Sequence, residues 1–200
     1  MPWNPAPITG ILLGWMTGQS ASSSEGPFSF QPMALQIGLN YHIAATAVQT
    51  TFGSLPLKKG TAADITSGFE ASFELAQQWT TANINQNSQE DKDWWNDLPD
   101  SVWLPAALGV VKYWTGGMMT PLPPPPSGAV GTINPILFPG SPSPLNTMIG
   151  AAFKTGNATA LCSLLNVAFV AHLKLVAGTW TGFTPSTPPV PLIFPWITLT

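Results

Sequence analysis

A chain of 200 residues and 21.2 kDa that is 44% apolar, with a formal charge of −3, is long enough for one domain with a substantial core. It is too apolar and too weakly charged for generic disorder. It contains no arginine and only six lysines, and charged residues make up 8% of it against about a quarter in an ordinary soluble domain, which disfavours nucleic acid as a partner and suits association better than life as a solitary monomer.

Residues 1–31 read as an extended N-terminal arm, punctuated by Pro2, Pro5, Pro7, Gly10, Gly14, Gly18 and a serine tract, with Trp3, Ile8, Leu12 and Trp15 as apolar anchors. No basic residue precedes the short apolar run Ile11-Leu12-Leu13, so the expectation is synthesis without a secretory signal.

Residues 32–119 read as a helical region. Pro32 opens a first helix in which Met33, Ile37, Tyr41, Ala44, Val48 and Phe52 recur at helical spacing, with Gly53 as the stop. No residue between Glu25 and Lys58 is charged, the pattern of a helix buried on most sides. A second, ordinary amphipathic helix spans about Ala62 to Asn83, with Thr61 as its N-cap and Asp64 complementing the first-turn amides. Residues 84–100 form an acidic loop interrupted by Trp94-Trp95. Eight of the nine acids lie between Asp64 and Asp100, with Lys92 as the only base there. A third helix takes Asp100 or Ser101 as cap, tolerates Pro105 only in its first turn, and ends at Gly116-Gly117.

Residues 120–144 are a proline-rich arm, with polyproline II expected at Pro123–Pro126 and a short edge strand within Val130 to Phe138. Residues 145–178 are a second helical region. A fourth helix runs from about Leu145 to Phe153 and a fifth from about Ala158 to Ala177, capped by Asn157 and closed by Gly178. The fifth invites a membrane reading, but Ser163, Asn166, His172 and Lys174 interrupt it and no basic cluster flanks it, so a core or subunit-interface helix is preferred. Residues 179–200 are a C-terminal proline-rich arm. Trp114-Thr115-Gly116 and Trp180-Thr181-Gly182 each follow an apolar helix and lead into proline, a weak repeat of one unit. The expected fold is therefore a single mainly α domain, several apolar helices with extended proline-rich arms and at most short edge strands.

Few residues suggest chemistry. Asp91, Asp93, Asp97 and Asp100 invite calcium, yet they lack the turn glycine and the bidentate glutamate of an EF-hand, so a solvated acidic loop is the better account. His42 and His172 fall within apolar helical segments without a second ligand at zinc spacing and read as satisfied core histidines. Cys162 reads as a small buried hydrophobe. No nucleophile elbow and no phosphate cradle occurs, so no catalytic residue, metal ligand or cofactor is assigned, and a hydrolase using the acidic loop has no motif behind it. Nine tryptophans, many beside prolines and helix ends, read as packing anchors.

The alternation of apolar helices with proline-rich exits, from Trp114-Thr115-Gly116 to Pro126 and through Asn134-Pro135-Ile136-Leu137-Phe138-Pro139-Gly140, resembles that of small virion structural proteins of tailed bacteriophages. The resemblance implies a place in the neck, tail, baseplate or capsid surface, synthesis in the host cytoplasm, and partners that are further copies of the chain and other virion proteins. The arms would supply the docking residues: Trp114, Leu137, Phe138, Trp180, Ile193, Phe194 and Trp196 are the interface candidates. The competing expectation is a membrane-associated or pore-forming protein that uses the first and fifth helices.

Overall fold

A computed structural model describes residues 30–46, 48, 55–58, 60–83, 97–120, 130–133, 136, 138–155 and 158–196. Its elements in chain order are α1 (Phe30–Ala45), β1 (Leu55–Lys58), α2 (Ala62–Asn83), a 3₁₀ turn (Asp100–Trp103), α3 (Leu104–Trp114), β2 (Met118–Thr120), β3 (Val130–Ile133), α4 (Pro142–Phe153), α5 (Ala158–Leu173), β4 (Gly178–Phe183) and β5 (Pro191–Trp196). The fold is mainly helical, with, among the described residues, five short strands in two small antiparallel sheets, β1-β2 and β3-β4-β5.

Helix α2 runs between α1 and α3 and touches both along its length. Its start is fixed by the chain itself: the Thr61 backbone N–H donates to Asp64 Oδ2 at 2.8 Å, and the Thr61 hydroxyl donates to the same oxygen at 3.3 Å. This is the acidic half of a capping box, so Asp64 rather than the threonine hydroxyl is the acceptor. Glycines allow the neighbours to come close. A Cβ on Gly38 of α1 would lie 2.7 Å from the Ala62 carbonyl oxygen, and one on Gly109 of α3 would lie 2.6 Å from that of Asp64, so both helices meet α2 backbone to backbone. Along the shared seam Ser72 Oγ accepts from the Ala106 N–H at 3.0 Å. That bond caps α3 from outside, because neither Asp100 nor Ser101 caps it and Trp103 at its N-terminus contributes no side-chain bond. Pro105 falls in the first turn and Gly116, at φ 69°, turns the chain away.

Aromatic contacts carry the core from α1–α3 to α4 and α5. Tyr41 meets Tyr113 edge-on at 5.1 Å and Phe169 at 4.9 Å, and its oxygen accepts from Trp114 Nε1–H at 2.7 Å. At the other end Trp103 stacks on Phe153 at 4.2 Å and meets Phe73 edge-on at 6.0 Å.

Helix α1 stops at Ala45, short of the expected Phe52. The Thr46 hydroxyl and N–H both bond back to the Ile43 carbonyl, at 2.6 and 3.1 Å, which ends the ladder. Phe52 and Gly53 lie outside the described residues, as do Asn157, Pro123–Pro126 and residues 84–96 of the acidic loop. Helix α4 begins three residues earlier than expected, where Ser141 Oγ accepts from Ser143 N–H. Helix α5 ends at Leu173 because the chain is needed elsewhere: Leu175 N–H bonds to His172 O at 2.8 Å, and Ala177 pairs with Phe138.

The largest correction concerns residues 179–200. They are not a free arm as far as Trp196; β4 and β5 form a hairpin in register Gly178↔Trp196 to Phe183↔Pro191, with β3 on the other side of β4. The run Thr179-Trp180-Thr181-Gly182-Phe183 alternates between sides, with Trp180 fully buried and Phe183 exposed. Thr184 N–H donates to the Val190 carbonyl at 2.9 Å, which makes 184/190 a hydrogen-bonded pair. Pro191, Ile193 and Pro195 then belong to the set whose amide positions face away from β4. The prolines cost no ladder bond and strip donors from the open edge, a recognised way of blunting an edge strand. The two Trp-Thr-Gly segments are likewise not equivalent, since Trp114 ends a helix and Trp180 lies mid-strand.

Two stability measurements check this architecture. In chemical denaturation, Gly109→Ala lowers stability by about 1–3 kcal/mol, since the added methyl meets backbone that cannot rotate aside. Trp180→Ala lowers it by about 3–5 kcal/mol, whereas Ile193→Ser stays within about 0.5 kcal/mol.

Candidate interaction surface

Helix α1 carries two apolar sets. Met33, Ile37, Tyr41 and Ala44 are buried as their spacing requires, while Leu35, Leu39 and Ile43, spaced i, i+4, i+8, are 47%, 41% and 50% exposed. Side chains four apart line up as a ridge. The helix has no charged residue to solvate that ridge, and its outer surface is therefore apolar along its length. Uncharged α5 repeats the feature with Leu164 and Val167, the latter 52% exposed, and α3 adds Leu104 and Leu108. Helix α2 shows the opposite arrangement, with Glu70, Glu74, Gln77 and Gln78 accompanying its one exposed leucine, Leu75.

The outward side of the C-terminal hairpin is a second uncharged surface. Phe183 and Ile193 are more than half exposed there, and Val190, beside the loop, is 52% exposed. The loop between the strands is braced internally: the Thr184 and Ser186 hydroxyls bond each other, Ser186 Oγ donates to Pro188 O at 3.0 Å, and Val190 N–H donates to Thr184 Oγ1 at 3.0 Å.

The interface candidates divide accordingly. Trp114 and Trp180 are fully buried in the chain's own core and have no surface left for a neighbour, which corrects their assignment as docking residues. Ile193 is the most exposed large hydrophobic residue described, and Phe138 is half exposed although its backbone is bridged to Ala177. Phe194 and Trp196 occupy the register positions opposite Trp180 and Gly178. Leu137 lies outside the described residues. Sequence reasoning missed Leu35, Leu39 and Ile43. The missing charges on α1 are the signal, since an uncharged helix face is compatible with burial in the core and equally with an exposed apolar ridge.

The ionisable groups are dispersed. Burial alone would raise the Asp64 pKa, but the Thr61 N–H and the Lys112 ammonium, 3.0 Å away, outweigh it and hold the carboxyl below its usual range. His42 Nδ1 shares a 2.9 Å hydrogen bond with the Tyr113 hydroxyl. Burial pushes both core tyrosines and the Cys162 thiol up, away from reactive ionised forms. His172 is buried as expected but not satisfied: neither ring nitrogen has a hydrogen-bond partner among the described residues, and burial pushes its pKa down to about 4. Asp100 lies 3.5 Å from Lys154, and Asp91 and Asp93 are outside the described residues. Among the described residues no cluster of three or more His, Cys, Asp or Glu is placed to hold a metal ion. The described residues lining a shallow groove of about 410 Å³ are Glu74, Gln77, Gln78, Thr81 and Ala82, all from α2. Helix α5, 16 residues or about 24 Å long, falls short of a bilayer core of about 30 Å, and no helix among the described residues is long and apolar enough to cross a membrane.

No protein-family model, no curated protein and no solved structure matches this chain.

Proposed function

We propose that the chain is a structural, non-catalytic subunit of a large protein assembly, a component of a tailed-phage particle, that docks on neighbouring copies and other virion proteins through uncharged apolar surface. The observation that carries this reading is the exposed Leu35-Leu39-Ile43 ridge on a helix without a single charge. Its energetics favour a lattice over a pair. Completing the burial of three half-exposed aliphatic side chains yields roughly 3 kcal/mol, too little to hold two molecules together but effective when each subunit repeats the contact with several neighbours. The braced hairpin suits the same role, because an interface loop that is already ordered loses little entropy on docking. The phage assignment rests on the resemblance of the proline-rich exits to those of virion proteins. Membrane association fits less well, since interfacial helices bear lysine or arginine along the polar face and α1 has neither.

Light scattering on the purified chain at tens of micromolar tests the assembly reading. The expected result is self-association that Leu39→Gln combined with Ile43→Gln reduces without moving the denaturation midpoint by more than about 0.5 kcal/mol equivalent. A stable 21.2 kDa monomer overturns it. Sedimentation with anionic vesicles in place of self-association moves the assignment to the membrane class, and mass spectrometry of purified particles tests the virion placement.

A further inference from the structure

Two described stretches of chain join the helices to the β3-β4-β5 sheet: the approach to α4, Phe138–Ser141, and the exit from α5, Lys174–Ala177. They touch. Phe138 N–H donates to Ala177 O at 3.0 Å and Ala177 N–H to Phe138 O at 2.8 Å, and this bridge stands alone, outside the named strands. Just below it, the His172 ring lies against Gly140, whose φ of +93° and contact with the imidazole leave no room for a side chain; a Cβ there would sit 2.8 Å from His172 Cε1 and closer still to Nε2.

We propose that this contact is an acid-sensitive clasp: when His172 takes up a proton, the Phe138–Ala177 bridge opens and frees the root of the sheet while the α1–α2–α3 stack stays folded. A neutral ring is tolerable here, but an imidazolium carries two donors and both ring nitrogens are buried without an acceptor among the described residues. Among the described residues no charged group is placed against the ring, and burial alone accounts for its lowered pKa. The approach Ile136–Ser141, α4, β3, β4 and β5 contain no ionisable side chain; α5 adds only Cys162, and its exit turn adds only Lys174, which is exposed and of the same sign. The weaker wall of the site gives way. On one side the ring is anchored through α5, held by Leu165, Phe169 and Leu173 in the core, and on the other it is covered by a non-helical link held by the Phe138–Ala177 bridge and, two residues earlier, by Ile136 N–H on the Gly117 carbonyl at 2.7 Å.

The direction with pH follows from linkage. A solvated histidine titrates near 6.5, and burial holds this one at about 4. The open form therefore binds the proton first, and the ratio of open to closed rises about tenfold per pH unit from about pH 6.5 down to about 4. The proposal stands apart from the assembly reading, because it concerns an opening within one chain.

Hydrogen exchange followed by mass spectrometry on the full chain, corrected for the intrinsic pH dependence of exchange, tests it. Between pH 6.5 and 5, amides of residues 138–141 and 174–178 should lose protection about fifteenfold while those of α2 and α3 keep theirs. In His172→Leu the pH response of those segments should vanish. His172→Gln, which keeps a polar side chain but cannot titrate, serves as the second variant if the first does not fold. Loss of protection in all helices in step, no pH response in the wild type, or an unchanged response in a folded variant each overturns the proposal.

Discussion

The backbone-to-backbone approach of α1 and α3 to α2, permitted by Gly38 and Gly109, is the constraint on which the rest of the structure depends. Helices usually pack with axes 8–10 Å apart, and side chains at the contact set the upper end of that range. Where glycine removes the side chain, the seam closes and each partner can meet α2 in one rotation only. With Gly38 against Ala62, Tyr41 points at Tyr113, Trp114 and Phe169, and the row at Leu35, Leu39 and Ile43 turns outward. The exposed ridge is thus a geometric consequence of the tight seam. The same helix cannot bury both of its apolar rows against α2.

Polar groups are spent sparingly inside. Ser72 caps α3, and the Tyr41 hydroxyl satisfies the Trp114 indole. Each joins two elements that local sequence alone would leave apart. Among the described residues several buried polar atoms have no hydrogen-bond partner, Trp103 Nε1 and both ring nitrogens of His172 included, and the His172 ring lies where the sheet is rooted to the helices. Along the sequence, charge is concentrated in α2 and the segment that follows it, leaving α1, α5 and the hairpin without any. The described surface thus combines a charged part on α2 with uncharged apolar parts elsewhere, and the proposed assembly role would use the latter.

Local periodicity carried much of the helical fold. The span of α2, the inward stripe of α1, the first-turn proline of α3 and the apolar character of α5 all follow from spacing, capping and punctuation, because an amphipathic helix writes its buried face every three to four residues. The absence of arginine and the paucity of charge are legible in the same way.

What only the tertiary structure decided was where apolar residues end up when sequence offers two equivalent answers. Proline density at 179–200 suggested an arm, yet Pro191 and Pro195 lie at the outward-facing positions of an edge strand, a parity set by the Thr184–Val190 pairing across the hairpin. Trp114 and Trp180, interface candidates in the sequence, lie inside, while α1, whose missing charges suggest burial on most sides, leaves Leu39 and Ile43 exposed. A hydrophobic residue carries the same local signal whether its partner is its own core or another chain, since burial depends on what packs opposite, and that is determined by contacts far apart in sequence.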